Sequence, residues 1–166
     1  MSRPALFLDR DGVLNIDHGY VCRIADFEPT EGVFEALRKA ADRSYALIVV
    51  TNQSGIGRGY FTQEDYDALE QHMRQLFAAE GVIFTAIYHC PHHPDADCEC
   101  RKPKPGMFLK AAREHDIDMS QSAMIGDKAS DAIAARAAGI RNIETITMAN
   151  GAPDAINAIL NKRENI

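Results

Sequence analysis

The residues of this chain that could do chemistry fall into two groups. The first is acidic. Asp9-Arg10-Asp11-Gly12 follows the apolar run Ala5-Leu6-Phe7-Leu8, Thr51-Asn52-Gln53-Ser54-Gly55 follows a second apolar run, and Gly126-Asp127-Lys128 follows a third. The period of two along an extended segment puts the Asp9 and Asp11 side chains on one side, with Asp127 approaching from a neighbouring strand. Carboxylates gathered at one point repel each other and need a cation. Hard oxygen ligands of this kind favour Mg²⁺, which keeps some of its water and meets a substrate phosphate. Asp-x-Asp alone is also the pattern of a solvated turn; three polar strand ends together weigh against that bland reading.

The second group is Cys90, Cys98 and Cys100, with His89, His92 and His93 close by. Cys98 and Cys100 are poorly spaced for a mutual disulfide, whereas thiolates with imidazoles suit zinc. Order and spacing fit C-x-H…C-x-C, three thiolates and one imidazole, and leave open which of the three histidines serves. Four protein ligands close the coordination sphere, so the metal would be structural. The loop from about 90 to 103 has few apolar residues to pack on, and a metal would tie it down. Cys22 stands apart and reads as a semi-buried free thiol.

Elements that could position these groups alternate along the chain. Strands are expected at Ala5–Leu8, Tyr45–Val50, Ile83–Tyr88, Ser122–Ile125 and Asn142–Thr147. Apolar spacing and stop signals predict helices over Glu31–Ser44, Thr62 to about Glu80, Pro105 to about His115, Ser130–Ala138 (closed by Gly139) and Asp154–Lys162. Five strands separated by helices imply an α/β fold with a parallel sheet covered on both faces. Ligands of such sheets bind beyond the carboxyl ends of the strands, where the three polar clusters converge.

The 166 residues fit one domain, 46% of them apolar and 25% charged, near globular averages. A net charge of −6 without a basic run makes nucleic acid and anionic membranes poor partners. No apolar run approaches the length of a membrane span. Met1-Ser2-Arg3-Pro4 does not open a signal peptide, so a reducing cytoplasm is expected, where clustered Cys and His bind metal more often than they pair. No G-x-S-x-G elbow is present, which disfavours an acyl hydrolase.

Phe7-Leu8-Asp9-Arg10-Asp11-Gly12-Val13-Leu14, Val50-Thr51-Asn52, Lys102 and Gly126-Asp127 resemble the four motifs of the haloacid dehalogenase-like hydrolases, over roughly residues 5 to 147. Within that superfamily the longer strings are similar to the heptose-1,7-bisphosphate phosphatases. These strings are Asp17-His18-Gly19-Tyr20-Val21, Thr51-Asn52-Gln53-Ser54-Gly55-Ile56, Gly59-Tyr60-Phe61, Cys90-Pro91-His92-His93-Pro94, Cys98-Glu99-Cys100-Arg101-Lys102-Pro103 and Pro105-Gly106-Met107.

The resemblance implies a Rossmann-like three-layer sandwich, strand order 5-4-1-2-3, with no separate cap domain. It implies an Mg²⁺-dependent phosphatase with Asp9 as nucleophile and Asp11 as acid and base. Thr51 and Lys102 would neutralise the phosphoryl group, and Asp9, the Asp11 carbonyl and Asp127 would hold Mg²⁺. Asp17, His18, Gly19, Tyr20, Asn52, Gln53, Ser54, Arg101 and Lys128 are expected to contact substrate. The family motif selects His92 to complete the zinc set with Cys90, Cys98 and Cys100. The implied substrate is a small sugar bisphosphate losing its 7-phosphate on the route to nucleotide-activated heptose, and the implied state is a monomer.

Two departures stand out. The segment Pro94-Asp95-Ala96-Asp97 between the ligand pairs is short, as in histidinol-phosphate phosphatases, which are the rival within the class. Val13 replaces a common Thr, outside the reacting groups. A non-enzymatic zinc module that binds phosphate or a partner is the rival from another class, but such a module has no need of paired carboxylates facing an anion.

Overall fold

The structure is a computed structural model, and it describes residues 1–164. Five strands form one sheet: β1 (Ala5–Leu8), β2 (Ala46–Asn52), β3 (Ala86–Cys90), β4 (Ala123–Gly126) and β5 (Asn142–Thr145). Five α-helices join or follow them: α1 (Val33–Asp42), α2 (Gln63–Ala79), α3 (Gly106–His115), α4 (Ala129–Ala137) and α5 (Ala152–Glu164). The order is β3-β2-β1-β4-β5, every pairing parallel. This is the expected order read from its other edge.

The inner strands are continuous apolar runs because both of their faces are covered. Alternation along each run divides the core. Leu6, Leu8, Leu47, Val49 and Ile125 face α1, α2 and α5; Ala5, Phe7, Ile48, Val50 and Met124 face α3 and α4. On the second face Phe7 meets Phe108 of α3 with ring centroids 4.9 Å apart. The three layers expected of the sequence are therefore present.

The chain builds β1, β2 and β3 outward in one direction, then crosses back over the sheet to start β4 beside β1. The β1/β4 boundary is where the strand order reverses, and in open α/β sheets that crevice is the ligand site. Leu8 pairs with Ile125 across it, and the Asp9 N–H donates to the Ile125 carbonyl, 3.1 Å. Asp9 and Asp127 thus leave two adjacent strands at one height.

Helix ends follow local chemistry. Thr62 caps α2 by accepting from the Asp65 N–H, and Asp65 returns the bond to the Thr62 N–H. Pro105 sits at the cap position of α3, one residue before the helix. The third strand begins at Ala86 and not at Ile83. Phe84 is used earlier, packing on Phe77 of α2 with ring centroids 5.0 Å apart as the chain approaches the sheet. No helix among the described residues is long and apolar enough to cross a membrane.

Ser122 fastens β1 to the segment entering β4. Its buried hydroxyl accepts from the Ala5 N–H, 2.9 Å, and donates to the Asp118 carbonyl, 2.6 Å. Ser122→Ala would strand a buried N–H and a carbonyl, and is expected to cost about 1–3 kcal/mol. Urea denaturation should register that loss, with kcat kept, because the residue lies at the sheet end opposite the acidic cluster. An unchanged urea midpoint would refute the assignment.

Candidate active site

At the β1/β4 crevice the carboxylate oxygens of Asp9, Asp127 and Asp131 lie within 4.8 Å of one another. Asp9 and Asp131 are buried and Asp127 half-buried. Two glycines allow the approach. A Cβ on Gly12, whose φ is +85°, would lie 2.3 Å from the Asp127 Oδ2, and one on Gly126 would lie 2.3 Å from the Asp131 Oδ2. Asp131 stands in the first turn of α4, where its Oδ2 accepts from the backbone N–H groups of Asp127, 3.2 Å, and Lys128, 3.1 Å. A carboxylate there is favoured by the free N–H groups and the helix dipole.

Lys102 enters this cluster from the loop between β3 and α3. Its buried Nζ lies 2.6 Å from Asp131 Oδ1 and 3.1 Å from Asp9 Oδ1, and donates to the Val50 carbonyl, 2.8 Å. Burial opposes the charge, but the two carboxylates more than offset it and hold the ammonium's pKa above its ordinary value. Burial, then Asp131 and Asp127, push Asp9 up to about 7 against the pull of Lys102. Burial also raises Asp127, whose Oδ1 is buried and has no partner. One ammonium among three carboxylates leaves negative charge over, and one oxygen of the same carboxylate cluster is buried without a partner. A hard divalent cation fits such a donor set.

Asp11 departs from the expected geometry. Its carboxylate does not join the group around Asp9, because the chain leaves the extended conformation at Arg10, whose carbonyl accepts from the Leu14 N–H, 2.8 Å. The period-two alternation of side chains ends there. Arg10 Nη2 lies 3.0 and 3.1 Å from the two Asp11 oxygens, Asn15 donates to Oδ1, 3.0 Å, and Gln53 to Oδ2, 3.0 Å. The carboxylate so held lines a pocket of 560 Å³.

Of the residues expected to contact substrate, that pocket is lined by Asp17, Gly19, Tyr20, Asn52, Gln53, Ser54, Arg101 and Lys128. Lys102 also reaches it. His18 does not; its Nε2 lies 3.0 Å from Glu28 on the exposed side of the loop. Thr51 is buried beneath the pocket, and its hydroxyl accepts from Gln53 Nε2, 2.9 Å. Asn52 pairs twice with the backbone of Lys102, donating to its carbonyl at 3.1 Å and accepting from its N–H at 3.0 Å.

Three participants escaped the sequence reading. Asp131 carried a readable signal, standing four residues after Asp127 on the first turn of a helix. Arg10 sat between the two motif aspartates and looked like filler. Asn15 gave no signal of its own.

The second cluster brings together Cys90, His92, Cys98 and Cys100, with all donor atoms within 4.8 Å of one another. The His92 Nδ1 is 3.4 Å from Cys90 Sγ and 3.2 Å from Cys100 Sγ, and Cys90 and Cys98 sulfurs are 3.5 Å apart. Cys100 Sγ is 3.7 Å from Cys98 Sγ and 2.9 Å from Cys90 Sγ. A tetrahedral zinc with about 2.3 Å bonds separates its ligand atoms by about 3.5–3.8 Å, so the set has the donors and nearly the size of such a site, with the Cys90–Cys100 pair drawn closer than a bound metal would hold it. Burial works against the Cys98 thiolate, yet the Arg101 N–H and the two neighbouring thiols bring its pKa down to about 6. The two alternative histidines are used elsewhere. His89 stacks on Tyr66 at 4.0 Å, and the His93 Nδ1 accepts from the Asp95 N–H, 3.1 Å. Cys22 is half-buried and free, as expected.

Comparison with known proteins agrees with this layout. A family profile described as "HAD-hyrolase-like" matches residues 99–158. The D-glycero-beta-D-manno-heptose-1,7-bisphosphate 7-phosphatase of Vibrio cholerae is 53% identical over 147 residues, covering 84% of this chain and 79% of its own. The protein of the same name from Helicobacter pylori is 50% identical over 142 residues, covering 85% and 82%. A crystal structure of D,D-heptose 1,7-bisphosphate phosphatase from B. bronchiseptica, complexed with magnesium and phosphate, superposes with a TM-score of 0.85 at 27% identity, covering 96% of this chain and 99% of that one. The chain belongs to the haloacid dehalogenase-like hydrolases, in their heptose-1,7-bisphosphate 7-phosphatase family.

Proposed function

We propose that the chain is a Mg²⁺-dependent phosphatase that removes the 7-phosphate of D-glycero-D-manno-heptose 1,7-bisphosphate through an aspartyl-phosphate. The observation that carries the reading is the buried Lys102 ammonium held between Asp9 and Asp131, beside the orphaned Asp127 oxygen, at a pocket lined by further cations. The named relatives supply the substrate. Asp9, Asp127 and the Asp11 carbonyl would hold the metal. When bound, Mg²⁺ supplies positive charge at the phosphoryl oxygens and allows an anionic nucleophile to approach an anionic ester.

An Asp9 oxygen attacks phosphorus and the bond from phosphorus to the sugar C7 oxygen breaks. Asp11 gives its proton to that oxygen, and the sugar leaves as an alcohol. Asp11, now a carboxylate, takes a proton from water as the water oxygen attacks phosphorus. The bond from Asp9 to phosphorus then breaks, releasing phosphate and restoring both groups. Lys102 and the Thr51 hydroxyl stabilise the oxygens of the transferring group. Arg10, Asn15 and Gln53 orient Asp11 throughout. Asp17, Gly19, Tyr20, Asn52, Gln53, Ser54 and Arg101 hold the sugar and its other phosphate, and Lys128, beside Asp127, meets the substrate at the reacting end. A single domain over residues 1–166, acting as a cytoplasmic monomer, completes the reading. The four free cysteines, three of them arranged as metal ligands, suit a reducing compartment.

Phosphate release should separate the candidate substrates. We expect kcat/KM for heptose 1,7-bisphosphate to exceed that for histidinol phosphate by a hundredfold or more, about 3 kcal/mol in transition-state binding. Asp9→Asn is expected to lower kcat by about 10⁴-fold or more. A preference for histidinol phosphate would move the substrate, and turnover surviving in Asp9→Asn would sink the mechanism.

The Asp9 pKa of about 7 sets the pH dependence of metal binding. Above pH 7 the free carboxylate is ionised and ready; below it, the cation must displace a proton. Apparent Mg²⁺ affinity by calorimetry should weaken about tenfold from pH 8 to pH 6, and a flat profile would contradict the assignment. Elemental analysis should find one equivalent of zinc in the wild type and none in Cys98→Ser, which should also lower the Tm by about 5 °C or more and reduce kcat through misplacement of Lys102. Full activity without zinc would show that the loop does not need the metal.

A further inference from the structure

The pocket contains one cationic group that neither the motifs nor the mechanism uses. Arg58 lines it from the loop between β2 and α2. Among the described residues its guanidinium meets only the Ser54 hydroxyl, Nε to Oγ 3.3 Å, and no carboxylate.

Accounting for the other cations shows what is still needed. A sugar bisphosphate brings two phosphates. Lys102 is already committed to Asp9 and Asp131, at the reacting end. Lys128 follows Asp127 directly, and the N–H groups of the two residues share Asp131 Oδ2, so it belongs to the same end. Arg101 remains, and its Nη1 is buried with no hydrogen-bond partner. A buried charged donor without an acceptor is costly, so an acceptor from outside the chain belongs there. A phosphate presents three oxygens and is gripped best by two guanidinium forks from different sides. Arg58 is the cation left to supply the second fork.

The backbone under Arg58 is built to hold it. The Arg58 N–H donates to the Ser54 carbonyl, 2.8 Å, and the Tyr60 N–H to the Gly55 carbonyl, 2.8 Å. Gly55 lies against the buried Phe61 ring, where a Cβ would come within 2.1 Å of Cε1. Gly57 presses on the zinc loop: its N–H donates to the Pro91 carbonyl, 2.8 Å, and a Cβ would stand 2.3 Å from the His93 nitrogen. The turn carrying Arg58 is thus fastened to the loop carrying Arg101, and little order has to be gained when an anion binds.

We propose that Arg58 is a specificity residue that grips, together with Arg101, the phosphate that is not hydrolysed. This rests on the bisphosphatase reading. Its contacts lie far from the reacting phosphorus along the substrate, so it contributes to binding both the ground state and the transition state, and its loss should appear in KM more than in kcat.

The test compares wild type, Arg58→Ala and Arg58→Lys on heptose 1,7-bisphosphate and on heptose 7-phosphate, which lacks the second phosphate. Arg58→Ala is expected to raise KM for the bisphosphate tenfold or more with kcat changed less than threefold. KM for the monophosphate should move much less, so the selectivity ratio should fall about tenfold. Arg58→Lys should recover part of that ratio, since it restores charge without the fork. Equal effects on both substrates, or none on either, would overturn the proposal. A wild type that handles both substrates equally well would instead overturn the bisphosphatase reading, before any variant is made. Thermal melting of both variants separates a lost contact from a lost fold.

Discussion

A buried lysine ammonium surrounded by more negative charge than it can neutralise is the constraint around which this molecule is arranged. Lys102 Nζ touches Asp9, Asp131 and the Val50 carbonyl, with Asp127 close enough to raise Asp9 further. Burying any one of these charges alone would be prohibitive, and burying them together is tolerable only because each offsets another. The offset is incomplete by design of composition: three carboxylates and one ammonium leave an excess that a divalent cation removes. Five parts of the chain have to deliver their groups to this point, namely β1, the end of β2, β4, the first turn of α4 and the zinc loop. The topological reversal between β1 and β4 makes the meeting possible, and Gly12 and Gly126 remove the Cβ atoms that would prevent it.

The zinc loop is the least self-sufficient of these parts. Between β3 and α3 the regular structure is one short 3-10 turn, Pro94–Ala96. The loop's contacts with the apolar core run through Cys90, Cys98 and Cys100, the same thiols that gather around His92. The loop is sewn to β2 by the paired bonds between Asn52 and Lys102 and by the Gly57 bond to Pro91. Lys102 lies two residues beyond Cys100, so a metal held by the cluster would help to determine where the central ammonium stands. The thiol–imidazole cluster and the buried ammonium are in this sense one system, coupled through two residues of backbone.

The parts legible in the sequence were those set by a single repeating cause. Continuous apolar runs mark strands buried on both faces, and helical spacing with Thr62, Gly81 and Gly139 as punctuation marks the helices. The strand order came from family resemblance and agrees with the sheet. Ile83 and Phe84 misled because apolar character reports burial, and Phe84 is buried against α2 before the strand begins. Asp11 misled because the period of two holds only while the chain stays extended, and the turn at Arg10 ends that. His18 stands in a loop, where position along the chain does not decide which way a side chain faces. Asp131 was within reach of a spacing argument. Arg10 was not, since its role depends on a contact with Val21 that no local pattern announces.

That contact bears on how the pocket selects its ligand. Arg10 Nη2 binds both Asp11 oxygens and also donates to the Val21 carbonyl, 2.7 Å, in the loop that carries Asp17 and Tyr20. One buried guanidinium therefore fixes Asp11 and the loop carrying Asp17 and Tyr20 relative to each other. The loop itself is held in an unfavourable form. Tyr20 has a φ of +46°, directly after Gly19 at +79°, a conformation that costs a non-glycine residue on the order of 1 kcal/mol or more. The edge-to-face contact of Tyr20 with Tyr60, ring centroids 4.9 Å apart, helps to offset that cost. Tyr60 rises from the same turn as Arg58, so the strained loop, Asp11 and the turn beside the cysteine cluster are mechanically joined. Here the joints are already made, and selectivity rests on how well a rigid open pocket matches the spacing of charge on its ligand.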